Sequence, residues 1–364
     1  MYRIVYVLLI AILVTPLASM VGSGSNGSPP PYAYLEIVIG GNITNAGSKP
    51  VPINETDLLV YDYPFNTSSQ KVLSTTLYLE GRVIGYRIEA DEEGNNLLIG
   101  NASEAGLEYI GVNQTVSSRV VYKVYVDMGR RMEEIKGISL ENAGGWSDIV
   151  VEDDILIEET GLWNYSNPLV KLLIKYIMSK HNQSPLDYLL GVLDWVDNNV
   201  AYAVRVPARH PWEVIAYRQG DCDDQSNLVI TLLRGVGIPA YLEIGFVYLD
   251  RSLEHMGRPG YNETIEAANG MVKYHFIGGG AHGWMVAYIP PWGYVRIDLT
   301  FAKGGLRHIK LAAYYGLNNY VPTIVFSVVK KKDYVESSAE FIEEVQEKKL
   351  LYNIYICMRE TNGP

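Results

Sequence analysis

The sequence predicts an α+β protein in which a strand-rich N-terminal region precedes a region of mixed helices and strands. Between residues 32 and 126, runs of β-branched and aromatic residues alternate with turn clusters. Helical periodicity begins only after Trp163. Residues 1–165 carry 10 basic and 21 acidic residues, whereas the remaining residues carry 20 of each. These three observations together favour a domain boundary near residue 160.

Length and composition limit the classes of protein that this chain can represent. Its 364 residues allow about two domains, and 48% hydrophobic with 20% charged residues exclude wholesale disorder. The net charge of −11 argues against a nucleic-acid partner, which would require a basic surface. Only two cysteines, Cys222 and Cys357, are present. That number excludes a disulfide-rich scaffold and an all-cysteine zinc site.

The N-terminus has the pattern of a secretory signal. Arg3 precedes an apolar run from Ile4 to Val14, and small residues follow it. The run is shorter than the roughly 20 residues of a membrane-spanning helix, although extension to Val21 leaves an uncleaved membrane tether open. We therefore predict an extracytoplasmic protein with a signal peptide or anchor at residues 1–24 and a linker at residues 25–32.

Glycosylation sequons support export. Nine of the 22 asparagines begin an Asn-x-Ser/Thr sequence, whereas about two would be expected by chance. The nine candidates are Asn26, Asn42, Asn54, Asn66, Asn101, Asn113, Asn164, Asn182 and Asn262. The excess predicts a glycoprotein. Together with the 28 tyrosines, it suggests an archaeal cell-surface protein.

The first 160 residues predict a β-sandwich and a connector. Strand candidates are residues 35–39, 58–61, 75–79 and 120–126. Several short strands at this spacing are typical of a sandwich of immunoglobulin-like size, which we assign to residues 33–130. Residues 131–162 are mixed and acidic, and we interpret them as the connector.

Two amphipathic helices follow the connector. Apolar residues recur at helical spacing between Pro168 and Lys180. In the second helix Ser184 is the expected N-cap, Pro185 the first helical residue and Asp187 the acid at the third position. We expect that helix to end near Asn199. Both helices are interpreted as core.

The segment around Cys222 has the pattern of a nucleophile at a helix N-terminus. Asp221 is a natural N-cap, Asp224 completes a capping box, and Gly235 ends the helix. Free N–H groups and the positive end of the helix dipole stabilise a thiolate at Cys222. The neighbouring carboxylates, Asp223 included, oppose ionisation, so a cationic histidine would have to outweigh them.

His282 is the best candidate partner for this thiol. It begins a strand in which alternation places His282 and Trp284 on one face. A turn at residues 290–293 leads to a second strand that carries Asp298. A nucleophile, a base and an orienting acid follow the logic of a catalytic triad. No histidine pair has H-E-x-x-H spacing, so zinc-protease chemistry is unsupported.

Two further segments leave their roles open. Residues 250–280 are long for a connection between strands, and they are interpreted either as a lid over the cleft or as a surface insertion. The tail, residues 306–364, contains a strand candidate at residues 323–329 and a helical run at residues 337–349. We expect it to complete or flank the sheet of the second domain.

Several motifs together resemble the transglutaminase-like superfamily of papain-type thiol enzymes. They are G-D-C-D-D-x-S-x-L, L-L-R-G-V-G-I-P, H-G-W-x-x-x-Y-I-P and D-L-T, within about residues 165–305. The resemblance implies a papain-like domain at residues 163–305, with Cys222 as nucleophile, His282 as general base and acid, and Asp298 as its orienting partner. Supporting or substrate-binding roles are expected for Asp221, Asp223, Trp284 and Tyr217. Where relatives often have H-A-W-x-E and D-P-T, this chain has Gly283, Val286 and Leu299.

The leading functional hypothesis is a cysteine peptidase or amidase that acts on protein or peptide amides, with transfer to lysine as the crosslinking variant. No cofactor or metal is expected, since no calcium loop, P-loop or dinucleotide fingerprint is present. A non-catalytic surface module with Cys222 bonded to Cys357 remains open. So does a glycan-processing amidase, because the superfamily includes peptide N-glycanases. Neither the substrate nor the oligomeric state follows from the sequence.

Overall fold

The computed structural model describes residues 29–300, 303–314 and 321–363. The predicted signal peptide or anchor lies outside these residues. No helix within them combines the length and hydrophobicity required to cross a bilayer.

Strands and helices alternate in two sections of the chain. The strands are β1 Tyr32–Asn45, β2 Val51–Pro52, β3 Val60–Tyr63, β4 Gln70–Leu79, β5 Arg82–Ile84, β6 Tyr86–Ala90, β7 Asn96–Gly100, β8 Tyr109–Ile110, β9 Thr115–Asp127, β10 Ala201–Tyr202, β11 Gln219–Gly220, β12 Ala240–Tyr248, β13 Asn262–Ala267, β14 Val272–Ile277, β15 Gly279–Ile289, β16 Gly293–Ile297, β17 Thr323–Val329 and β18 Leu350–Glu360. The α-helices are α1 Met128–Glu133, α2 Pro168–Met178, α3 Pro185–Asn199, α4 Pro211–Tyr217, α5 Cys222–Arg234, α6 Asp250–His255, α7 Arg307–Tyr314 and α8 Tyr334–Lys348.

A seven-stranded sheet dominates the N-terminal region, which confirms that this region is strand-rich. Its order is β13-β14-β18-β1-β9-β4-β5. Strand β1 alternates buried and exposed side chains, as expected for a strand with one face on the core. The last strand, β18, pairs antiparallel with β1 over the whole register from Leu35–Glu360 to Asn45–Leu350. The two ends of the described chain therefore meet in one sheet.

The tail contributes to both sheets rather than to one. Strand β17 joins the four-stranded sheet β16-β15-β12-β17, as expected, whereas β18 joins the seven-stranded sheet. A three-stranded sheet, β3-β7-β6, and the short pair β2-β8 complete the N-terminal region. The proposed division into domains at residues 33–130, 131–162, 163–305 and 306–364 remains a prediction, and strands from three of these ranges form the large sheet.

Residues 250–280 do not form a long loop, so that part of the sequence interpretation was wrong. They form helix α6 and the hairpin β13–β14, and β14 pairs in parallel with β18. Gly278 has φ of +79°, and a Cβ there would collide with the carbonyl oxygen of Met358. Glycine is therefore required where the chain turns from the hairpin into β15.

The helix boundaries follow from the capping residues in the sequence. Ser184 accepts a hydrogen bond from the N–H of Asp187 and caps α3, whose first residue is Pro185. In α5, Asp221 and Asp224 form the expected capping box. Helix α5 is buried along its whole length, and it packs against β15 and β12. The sheet thus carries the first turn of α5 on one side.

Side chains of the N-terminal region bind the outer edge of β17. Gln70 accepts a hydrogen bond from the N–H of Val325 and donates one to its carbonyl oxygen. Asn95 forms the same pair of bonds with Val328. One carboxylate oxygen of Glu93 accepts from three successive N–H groups at residues 330–332. These contacts satisfy backbone groups that an edge strand would otherwise expose.

Candidate active site

Cys222 is the first residue of α5 and is almost completely buried. Its sulfur accepts a hydrogen bond from the backbone N–H of Gly283 in β15. Burial raises the pKa of the Cys222 thiol well above its usual value, and the negative charges of Asp223 and Asp221 add to this effect. The Gly283 N–H acts in the opposite direction. Burial and the two carboxylates outweigh the helix N-terminus, so the resting group is a neutral thiol.

His282 and Asp298 form a buried hydrogen-bonded pair. Nε2 of His282 lies 2.6 Å from Oδ2 of Asp298, and the two side chains are 0% and 1% exposed. His282 is in β15 and Asp298 follows β16, and these strands pair antiparallel from Met285–Ile297 to Ile289–Gly293. Cys222 adjoins the same strand through Gly283. The structure therefore brings the three predicted triad residues to one place.

Backbone and side-chain contacts fix the position of Asp298. Its second carboxylate oxygen accepts a hydrogen bond from the N–H of Thr300 at 2.7 Å. Its backbone bonds to His308, with the ring Nδ1 of His308 3.0 Å from the Asp298 carbonyl oxygen. Nε2 of His308 lies 2.9 Å from a carboxylate oxygen of Asp197. Sequence reasoning did not identify His308 or Asp197, because neither belongs to the quoted motifs.

Three carboxyl groups are buried beside the thiol. Asp221, Asp223 and Asp224 are fully buried, and one oxygen from each lies within 4.8 Å of the other two. Burial is the main cause that raises their pKa values, to about 8 for Asp224. Asp221 and Asp223 are hydrogen-bonded to each other, which requires a shared proton.

The acidic cluster is also connected to the C-terminal helix. The hydroxyl of Tyr334 donates to Asp223 at 2.7 Å and accepts from Asn227. Asn227 in turn accepts from the indole N–H of Trp163. In the part of the chain that the structure describes, Asp221, Asp223 and Asp224 are the one group spaced closely enough for a metal ion. Their shared proton already lowers the charge of that group.

A buried ion pair supports the side of the site opposite the acids. The Trp284 ring lies against His282, with centroids 5.6 Å apart. Its indole N–H donates to Glu243 at 2.6 Å, and Arg296 donates to both oxygens of the same carboxylate at 2.8 and 3.2 Å. The sequence did contain a signal for Glu243, since it is a single acid within the apolar strand β12.

The two tyrosines of this region differ in position from what the sequence suggested. Tyr217 is 62% exposed, and it lines a groove of about 670 Å³ with Trp212, Arg205 and Asp333, apart from the three triad residues. Tyr202, which sequence reasoning missed, lies close enough to Cys222 and Asp298 for their charges to raise the pKa of its hydroxyl, after the larger effect of burial.

Most of the predicted glycosylation positions are accessible. Asn54, Asn66, Asn101, Asn113, Asn182 and Asn262 are exposed, and Asn42 and Asn164 are half-buried. Asn26 lies outside the described residues. Glycosylation remains a prediction.

Comparison with known proteins agrees with this geometry. Residues 174–299 match the family model of the transglutaminase-like superfamily. No curated protein matches the sequence. A candidate cysteine protease from Cytophaga hutchinsonii is similar over 92% of this chain and 92% of its own, with 13% identity and a TM-score of 0.53.

Two other solved structures are less similar. The periplasmic domain of TgpA from Pseudomonas aeruginosa matches over 79% of this chain and 100% of its own, with 15% identity and a TM-score of 0.29. Red sea bream transglutaminase matches over 76% of this chain and 47% of its own, with 11% identity and a TM-score of 0.29. The family match, together with the fold shared with the Cytophaga protein, identifies residues 174–299 as a domain of the transglutaminase-like superfamily.

Proposed function

We propose that this protein is an exported thiol enzyme that cleaves or transfers protein amide groups through a thioester at Cys222. The observation that carries the proposal is the buried hydrogen bond between His282 and Asp298, on the strand whose next residue, Gly283, donates to the Cys222 sulfur. A base that is oriented by an acid and placed beside a thiol at a helix N-terminus is the arrangement that activates a sulfur nucleophile.

The chemistry begins with transfer of the thiol proton to His282. Because Nε2 of His282 bonds to Asp298, Nδ1 is the nitrogen that takes this proton. Asp298 stabilises the imidazolium that results. The thiolate then forms a bond to the amide carbon, and the carbonyl π electrons move to oxygen. Collapse of this intermediate breaks the C–N bond, His282 protonates the leaving amine, and a thioester remains.

The acceptor decides which activity results. Water, deprotonated by His282, would hydrolyse the thioester and make the protein a peptidase or amidase, whereas a lysine amine would produce a crosslink. We favour hydrolysis, because the sequence resembles none of the metal-gated accessory domains of crosslinking relatives. Nine sequons and the N-terminal signal pattern support export.

The non-catalytic alternative depends on a disulfide between Cys222 and Cys357. Both cysteines are free thiols in the structure. Cys357 belongs to β18, where it pairs with Val38 of the seven-stranded sheet. A free thiol at Cys222 favours the enzyme.

The test is turnover of peptide amides by the wild-type protein and by Cys222→Ala. We expect Cys222→Ala to abolish release of amine or ammonia, while Cys357→Ser retains it. Mass spectrometry of an acid-quenched reaction should show the acyl group on Cys222 alone. Equal turnover by Cys222→Ala and wild-type protein would refute the proposal.

A further inference from the structure

Tyr202 is held against the N-terminus of the catalytic helix by backbone pairing. Strands β10 and β11 are parallel, and Tyr202 is in register with Gly220, two residues before Cys222. The N–H of Ala203 donates to the Gly220 carbonyl oxygen at 3.2 Å. The N–H of Arg205 donates to the Asp221 carboxylate at 3.2 Å. The segment that carries Tyr202 is therefore fixed on both sides of this residue.

The hydroxyl of Tyr202 and its ring lie in different surroundings. Desolvation is the main cause that raises the pKa of the hydroxyl far above 10, followed by the negative charges of Cys222, Asp221, Asp223 and Asp298. The side chain as a whole is nevertheless 37% exposed. The hydroxyl end thus lies among the catalytic groups while the rest of the ring reaches solvent. This is the placement expected of a group that a substrate contacts, and the hydroxyl remains a donor at neutral pH.

Other side-chain donors near the thiol have partners. The indole N–H of Trp284 donates to Glu243, and the amide of Gln225 donates to the Gly220 carbonyl oxygen. The backbone N–H groups at the start of α5 supply one side of an oxyanion site. A second donor is expected on the solvent side of Cys222, where Tyr202 lies.

We propose that Tyr202 is a catalytic residue whose hydroxyl donates a hydrogen bond to the substrate carbonyl oxygen as Cys222 attacks. This inference rests on the proposed thiol acyl-transfer function. When the C–S bond forms, the carbonyl π electrons become a lone pair on oxygen, and the Tyr202 O–H stabilises the negative charge without giving up its proton. When the intermediate collapses, the C=O bond re-forms, the leaving group departs with its electron pair, and the hydrogen bond weakens.

Two reagents separate this role from a general effect on the thiol. Acetylation of Cys222 by p-nitrophenyl acetate passes through a tetrahedral oxyanion, whereas alkylation by iodoacetamide displaces iodide directly and forms no oxyanion. We would measure both rates for Tyr202→Phe and its parent, each carrying Cys357→Ser so that Cys222 is the reacting thiol. Intact mass spectrometry would follow the modified protein. Tyr109→Phe, on an exposed tyrosine of β8, is the matched control.

We expect Tyr202→Phe to slow acetylation roughly ten- to a hundredfold and to leave the alkylation rate within about twofold of the parent. An unchanged acetylation rate would overturn the assignment of Tyr202 and leave the proposed function intact. Equal slowing of both reactions would also overturn it, because Tyr202 would then act on the thiol itself. A parent protein that acquires no acetyl group at Cys222 would overturn the proposed function and the role of Tyr202 together.

Discussion

The carboxylate of Glu243 lies 2.6 Å from the indole nitrogen of Trp284, whose ring packs against the imidazole of His282. The same carboxylate accepts two hydrogen bonds from Arg296. Strands β12, β15 and β16 each contribute one of these three side chains. The position of the catalytic imidazole is therefore set by a buried ion pair that spans three strands.

Replacement of Glu243 by alanine should destabilise the protein. The Arg296 guanidinium and the Trp284 N–H would lose their acceptor in a buried setting, and we expect the free energy of unfolding to fall by about 3 kcal/mol. Chemical denaturation measures this change. Glu254→Ala, on an exposed glutamate of α6, is the control and should remain within about 0.5 kcal/mol of wild type. Coincident denaturation curves for Glu243→Ala and wild type would contradict the structural role of this ion pair.

The local parts of the site could be predicted from the sequence because they depend on neighbouring residues. Asp221, Cys222 and Asp224 form a capping box whose spacing is visible in the chain, and the turn after residue 289 determines which strand carries Asp298. Such features need only short-range geometry.

The non-local parts could not be predicted in this way. Glu243 and Tyr202 reach the site through sheet pairings that join residues far apart in sequence, and no local pattern fixes such pairings. The same reason explains β18, which the sequence suggested would accompany the second domain but which pairs with β1 more than 300 residues earlier. It also explains residues 250–280, where the hairpin is stabilised by its contact with β18 rather than by a strong turn signal.

Replacement of Asp298 by asparagine should remove activity and preserve the fold. The carboxamide oxygen can still accept from the Thr300 N–H, but its NH₂ would donate to Nε2 of His282. That bond favours the tautomer with the proton on Nδ1, and this tautomer cannot take the thiol proton. We expect the rate of Cys222 acylation to fall on the order of 10³-fold.

The acetylation rate with p-nitrophenyl acetate and the thermal melting temperature would be measured on the same Asp298→Asn protein. A melting temperature near that of wild type would show that the loss is one of chemistry. Acetylation at the wild-type rate would mean that Asp298 does not orient His282.

Replacement of Gln70 by alanine should weaken the attachment of the N-terminal region to β17. Its amide forms both hydrogen bonds to the backbone of Val325, at 2.8 and 2.9 Å, and the side chain is buried. The variant leaves a buried N–H and a buried C=O without these partners, so we expect a loss of about 2–4 kcal/mol in the free energy of unfolding. Gln114→Ala is the matched control, because that glutamine bonds to an exposed backbone N–H. Similar denaturation midpoints for the two variants would argue against this interpretation of the contact.

The buried acid Asp224 should make stability depend on pH in a direction opposite to that of most carboxylates. Burial and the charge of Asp223 raise the pKa of Asp224 to about 8 in the folded protein, against 3.8 for an ordinary aspartate. The folded state therefore retains a proton that the unfolded state releases. This contribution to stability is fully present below about pH 3.8, and it is lost progressively as the pH rises towards 8.

Asp224→Asn removes this ionisation, and its amide oxygen can still accept from the N–H of Arg209. We expect the free energy of unfolding of the variant to fall less steeply between pH 5 and pH 8 than that of wild type, by up to about one proton in the linkage slope. Chemical denaturation at four pH values across this range measures both slopes. Asp154→Asn, on an exposed aspartate, should reproduce the wild-type slope. If Asp224→Asn also reproduced it, Asp224 would have to be ionised in the folded protein, and the compensating positive charge would have to come from a group other than the shared proton of its neighbours.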